Sequence, residues 1–98
     1  MIGVTVTFSY PSGFDRARVV EVAEGARGMF EGMPGVRFKF FTFSEKQQQA
    51  VNFYVWESEE AAEQFFSPEL RARVTDLYGA APAIEYVEIA EIVDNSKA

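Results

Sequence analysis

The chain has 98 residues, 48% of them hydrophobic and 15% aromatic, so it can build one small domain with a thin core, about one layer of helix on one sheet. A formal net charge of −6 and an isoelectric point near 4.6 oppose binding to phosphate backbones and anionic membranes, which draw on clustered Lys and Arg. With no cysteine and no histidine, the chain itself supplies no disulfide, no Cys/His zinc site, no Cys nucleophile and no His base or haem ligand.

Ile2, Val4, Val6, Phe8 and Tyr10 alternate with Gly3, Thr5, Thr7 and Ser9, a period of two that predicts a first strand. The same stretch, MIGVTVTFSYPSG, has no basic segment and no continuous apolar run. It reads as neither a signal peptide nor a membrane span, and a cytoplasmic protein is expected. Pro11-Ser12-Gly13 stops the strand. From about Asp15 the spacing becomes helical: Val19, Val22, Ala23, Ala26, Phe30 and Met33 share one side, opposite Glu21, Glu24 and Glu31. Gly25 and Gly28 weaken this helix by about 1 kcal/mol each relative to Ala. Pro34-Gly35 marks a turn. Val36 to Phe43 follows as a second strand, Ser44 to Gln49 as a hairpin connection, and Ala50 to Glu57 as a third strand.

Ser58 is placed to cap a short helix whose first turn carries Glu59 and Glu60, where the helix dipole favours acids. Ser67-Pro68-Glu69 restarts the helix with a cap and a proline at the first position. Leu70, Val74, Leu77 and Tyr78 form its apolar stripe, and Gly79 ends it. After Pro82 a fourth strand is expected from about Ile84 to Val93. Residues 1–93 thus read as a single domain, with Asp94 to Ala98 as a flexible tail.

The order β-α-β-β-α-β is the split βαβ arrangement: an α+β, ferredoxin-like fold with a four-stranded antiparallel sheet and helices on one face. Phe38 and Phe40 oppose Phe41 and Phe43 on the second strand, and Val51, Phe53 and Val55 oppose Tyr54 and Trp56 on the third. A sheet with one solvated face alternates apolar and polar residues more cleanly. The second face is therefore expected to pack on a second copy, giving a homodimer through the sheet.

Parity puts Asn52, Tyr54 and Trp56 on one face. An amide, a phenol and an indole buried without partners cost about 1–3 kcal/mol each, so that face suits a cavity, and the Val51, Phe53, Val55 face suits a dry interface. The plainer reading of the same residues is a core, with Trp56 as anchor, Tyr54 stacked beneath it and Asn52 satisfying a backbone group.

The run Asn52-Phe53-Tyr54-Val55-Trp56-Glu57-Ser58-Glu59-Glu60-Ala61 resembles the strand-to-helix junction of the antibiotic biosynthesis monooxygenase superfamily, in which Asn and Trp four apart precede a Ser-capped acidic helix. The order of nearly the whole chain, including FSYPSGFD (Phe8 to Asp15) and YGAAPAIEYVEIAEIVDN (Tyr78 to Asn95), is similar to the small YdhR-type members. The resemblance implies a dimeric α+β barrel and oxygenation without metal, flavin or other cofactor. A small electron-rich aromatic substrate (a phenol, anthrone or quinol), once deprotonated, passes an electron to O2, and the recombined peroxide collapses to a quinone. Under this resemblance Asn52 and the Trp56 N–H hydrogen-bond the substrate's oxygens. On chemistry alone, Tyr54, Tyr10 and Arg37 are candidates to polarise the substrate or shuttle a proton. Members often carry a His in the helix after the Trp, and here Phe65 or Phe66 occupies that neighbourhood as apolar wall. Haem degradation, the activity of a related branch, is therefore not expected. Oxygenation without a His base needs a substrate acidic enough to ionise readily.

Two other functions fit less well. RRM domains of the same topology stack RNA bases on strand aromatics, but Phe53-Tyr54-Val55-Trp56 lacks the basic residue and glycines of that pattern, so no nucleic-acid partner is expected. Glu57, Glu59, Glu60 and Glu63 straddle a helix start and read as a solvated face, while Glu85 and Glu91 oppose Glu88, so no metal site is expected. Three readings remain: a cofactor-independent monooxygenase, a non-catalytic dimeric small-molecule-binding module, and a structural domain.

Overall fold

The computed structural model describes residues 1–10 and 12–96. Pro11 of the expected strand stop, and Lys97 and Ala98 of the expected tail, lie outside the described residues. In chain order the elements are β1 (Ile2–Ser9), α1 (Arg16–Phe30), β2 (Val36–Ser44), β3 (Gln49–Trp56), α2 (Glu59–Phe65), α3 (Pro68–Tyr78) and β4 (Pro82–Glu88). The strands form one antiparallel sheet in the order β2-β3-β1-β4, so β3 and β1 are central and β2 and β4 are edges. This is the ferredoxin-like α+β fold expected from the element order.

Local signals set the helix ends. The Asp15 carboxylate accepts from the Arg18 N–H at 3.2 Å to start α1, and Ser58 and Ser67 do the same for Ala61 and Leu70, at 3.1 and 3.2 Å, to start α2 and α3. Each such cap contributes about 1 kcal/mol. Gly79 closes α3 at φ 75°, donating its N–H to the Thr75 carbonyl at 2.9 Å. Gly35, at φ 88°, turns the chain from α1 into β2 and lies close against the Trp56 indole.

Strand register sorts every side chain to a face. Val4, Val6 and Phe8 lie beside Tyr54, Asn52 and Ala50, and these in turn beside Lys39, Phe41 and Phe43. The helices cover this face, burying Val4, Phe8, Trp56 and Phe66 in one core. Burying Phe8 and Val4 alone contributes about 1.5–3 kcal/mol each. On the opposite face Phe38, Phe40, Phe53 and Val55 adjoin one another, and Phe53 reaches across Gly3, where a Cβ would sit only 3.1 Å from its Cζ.

The fourth strand is shorter than the sequence suggests. It stops at Glu88 rather than near Val93, because Glu88 already pairs with Ile2, the first residue of β1, and beyond it β1 offers only the Met1 carbonyl, which accepts from the Ile89 N–H at 3.1 Å. With no strand left to pair, the chain turns onto the open face. There Ile89, Ile92 and Val93 wall a groove of about 670 Å³ with Phe38, Phe40, Phe53 and Val55. Part of the second apolar face is thus walled by the chain's own C-terminal segment.

Candidate functional site

Alternation along β3 carries Asn52, Tyr54 and Trp56 between sheet and helices, where all three are buried. Asn52 Nδ2 donates to the Tyr78 hydroxyl at 3.3 Å, and the Tyr78 ring stacks on Phe8 with centroids 3.9 Å apart. Tyr54 stacks on Trp56 at 6.0 Å and receives Phe66 and Phe30 edge-on at 5.1 and 5.7 Å. Trp56 Nε1 is buried with no hydrogen-bond partner among the described residues, an orphan donor that costs about 1–3 kcal/mol.

These groups border two small spaces. A cavity of about 60 Å³ is lined by Phe30, Lys39, Asn52, Tyr54, Phe65 and Tyr78, among others. A second, of about 180 Å³, lies against Phe41, Phe43, Ala50 and again Asn52 and Tyr78. Sites for small organic ligands usually reach several hundred Å³. Phe41 and the Asn52–Tyr78 pair border both spaces.

The structure distributes the residues singled out in the sequence. Phe65 and Phe66 line the smaller cavity with Asn52 and Tyr54. Trp56 stands behind that wall, packed on Phe65 at 5.2 Å. Tyr10 borders a separate hollow of about 110 Å³ with Arg18, Leu77 and Tyr78. Arg37 is exposed at the irregularity between Val36 and Phe38, beside a surface depression that shares Phe30, Lys39 and Phe41 with the cavity. The acids at the start of α2 are exposed, and among the described residues no three acidic side chains are placed to hold a metal ion.

Two residues of the site went unnoticed in the sequence. Tyr78 was visible only as part of the α3 stripe. Lys39 was detectable by parity, since it stands in step with Phe41 and Phe43. Its Nζ lies 3.4 Å from the Tyr54 ring centroid, 4.4 Å from Phe41 and 4.5 Å from Phe30. Burial lowers the Lys39 amine to about 6. The rings attract a cation and oppose that shift by about 0.5–2 kcal/mol, but among the described residues no carboxylate comes within ion-pair range to reverse it. The phenols move the other way. Burial, reinforced by Tyr78, raises Tyr54 far above its ordinary value, and burial raises Tyr78, partly offset by the Asn52 hydrogen bond. Near neutral pH both phenols are therefore protonated donors.

No family model and no curated protein matches the chain. Its fold is similar to that of solved oxygenases. One is a monooxygenase from the gene ActVA-Orf6 of Streptomyces coelicolor, solved with nanaomycin D, at TM-score 0.70 and 21% identity over 97% of this chain and 92% of that one. Another is SnoaB, a cofactor-independent oxygenase from Streptomyces nogalater, at TM-score 0.66 and 16% identity over 94% and 95%. A third, described as an antibiotic biosynthesis monooxygenase, matches at TM-score 0.61 and 11% identity over 93% and 100%. The chain therefore has the ferredoxin-like α+β fold of the antibiotic biosynthesis monooxygenases. Among the described residues no helix is long and apolar enough to cross a membrane.

Proposed function

We propose that the chain is a cofactor-independent monooxygenase of the antibiotic biosynthesis type, near the YdhR-type members, acting in the cytoplasm on a small electron-rich aromatic such as a phenol, anthrone or quinol. The observation that carries this reading is the buried Asn52–Tyr78 hydrogen bond set in an aromatic wall, in a fold shared with oxygenases. Asn52 donates to the substrate's oxygens, Phe65 and Phe66 hold its ring, and Tyr54 stays protonated as a further donor; the Trp56 N–H, behind Phe65, joins Asn52 as a donor once that ring moves aside. Exclusion of water strengthens these contacts to the developing anion. Tyr10 and Arg37 act at the margins, where substrate approaches. The unit is residues 1–93, with 94–98 as a tail, and two copies join through the open sheet faces into an α+β barrel. That pairing is supported by half-exposed Phe40 and Val87 on the open face, since a two-fold dimer joins one patch to its own copy.

The test is O2 uptake by metal-free protein with a panel of hydroquinones and anthrones. Quinone formation, lost in Asn52→Ala, is the expected result. The small cavity favours a second reading, in which the same site binds an aromatic molecule without turning it over. A ligand-dependent rise in melting temperature with no O2 consumed would select that reading.

A further inference from the structure

We propose that the Lys39 amine is the proton-transfer group of this site, taking the proton from the substrate and returning it to the peroxide formed with dioxygen. The proposal rests on the oxygenase reading above and fills the role left open by a chain without histidine. The geometry is specific. Register with β3 turns Lys39 inward beside Tyr54, and its Nζ sits within a box of three rings, Phe30, Phe41 and Tyr54, on the wall of the cavity that Asn52 also lines. An aromatic ligand entering this cavity meets an amine on the same wall as the Asn52 amide.

Burial favours the neutral amine, and no acid on the cavity wall opposes it among the described residues. Tyr54 faces it from β3, and Arg71 and Tyr78 line the same cavity from α3. Arg37 on its own strand and Arg27 and Glu31 at the end of α1 share the adjoining surface depression. The one acid among them, Glu31, is paired with Arg27 at 3.4 Å. A neutral amine is a base, whereas the neighbouring phenols, held protonated, are donors only.

Anthrone illustrates the reaction. The amine accepts a proton from the carbon opposite the carbonyl, leaving a delocalised anion. That anion passes one electron to O2, and the radical and superoxide combine in a new C–O bond. The ammonium protonates the peroxide. The amine then takes the second proton from the same carbon, the C–H pair becomes the new carbonyl bond, the O–O bond breaks, and the departing hydroxide takes a proton from the ammonium. Anthrone and O2 have become anthraquinone and water.

A lysine turned inward on an edge strand has a competing use, as a charge that blocks edge-to-edge pairing. That role needs only the cation and predicts no effect on turnover. The experiment is anthrone-dependent O2 uptake by the intact protein and by Lys39→Met between pH 5 and 9. In the unsubstituted protein kcat/KM rises through one ionisation near pH 6 to a plateau. In Lys39→Met that ionisation disappears and the plateau falls by about 100- to 10,000-fold, the usual span for a lost general base, while binding followed by Trp56 fluorescence persists. Should Lys39→Met not fold, Lys39→Ala with added propylamine serves, and partial rescue by the amine is expected. Undiminished turnover in a folded variant would overturn the Lys39 assignment and leave the oxygenase reading standing. An unsubstituted protein inert to the whole panel sinks that reading, and the base with it.

Discussion

On the helix-covered face of the sheet Trp56 and Phe8 are 2% and 1% exposed, whereas on the opposite face Phe40 is 53% exposed and Val87 52%. Both faces are rich in aromatic and aliphatic groups, so composition alone does not distinguish them. What differs is where polar groups are buried. The covered face buries Asn52, brings Tyr54 and Tyr78 together and turns Lys39 onto three rings. On the open face the polar residues in the cross-strand rows of Phe53 and Val51, namely Thr5, Thr7, Thr42 and Glu85, are none of them buried, and among the described residues the C-terminal segment lies against Phe38, Phe40, Phe53 and Val55. Buried polar groups each cost free energy unless paired, so their concentration on one face gives the proposed site a cost in stability that the open face does not carry.

The sharpest contrast comes from truncating the centre of the covered face. Trp56→Ala is expected to destabilise the protein by about 3–5 kcal/mol in urea unfolding, the usual cost of emptying a fully buried large aromatic site. A loss well under half of that would mean that α2 collapses onto the gap and that the covered face is not a rigid core.

The second effect belongs to Lys39. In the unfolded chain its amine titrates at 10.5 and in the folded protein at about 6, so between these values the unfolded state binds the extra proton. Its contribution is least favourable at and below pH 6 and is relieved as pH rises toward 10, with a slope of at most about 1.4 kcal/mol per pH unit, which the ring contacts reduce. Lys39→Met is therefore expected to be more stable than the parent at pH 7, with a gap that narrows as pH rises. A gap independent of pH would show that the folded amine keeps its ordinary value.

The smallest effect on the single chain is expected from Phe40→Glu on the open face, within about 1 kcal/mol for a half-exposed site. Its consequence lies in assembly. Light scattering should give about twice 11.0 kDa for the parent and the single-chain mass for the variant. A parent that is already monomeric would show that the open face is finished by its own C-terminal segment.

Much of this architecture was legible beforehand for a physical reason: it is encoded locally. Ser58, Ser67 and Gly79 set helix ends through bonds spanning three or four residues, and alternation along β1 and β3 assigned Asn52, Tyr54 and Trp56 to one face. The misjudged end of β4 was not local. Ile89 to Val93 has strand-forming residues, but whether they pair depends on where β1 begins.

The sequence by itself determined the element order, the caps and the parity of each strand, because these follow from backbone geometry within a few residues. Only the tertiary structure decided that Asn52 meets Tyr78, 26 positions away, that Trp56 stands behind the cavity wall, and that Lys39 lies on Tyr54. Those contacts depend on strand register and on which face the helices cover, and no short stretch of chain carries that information.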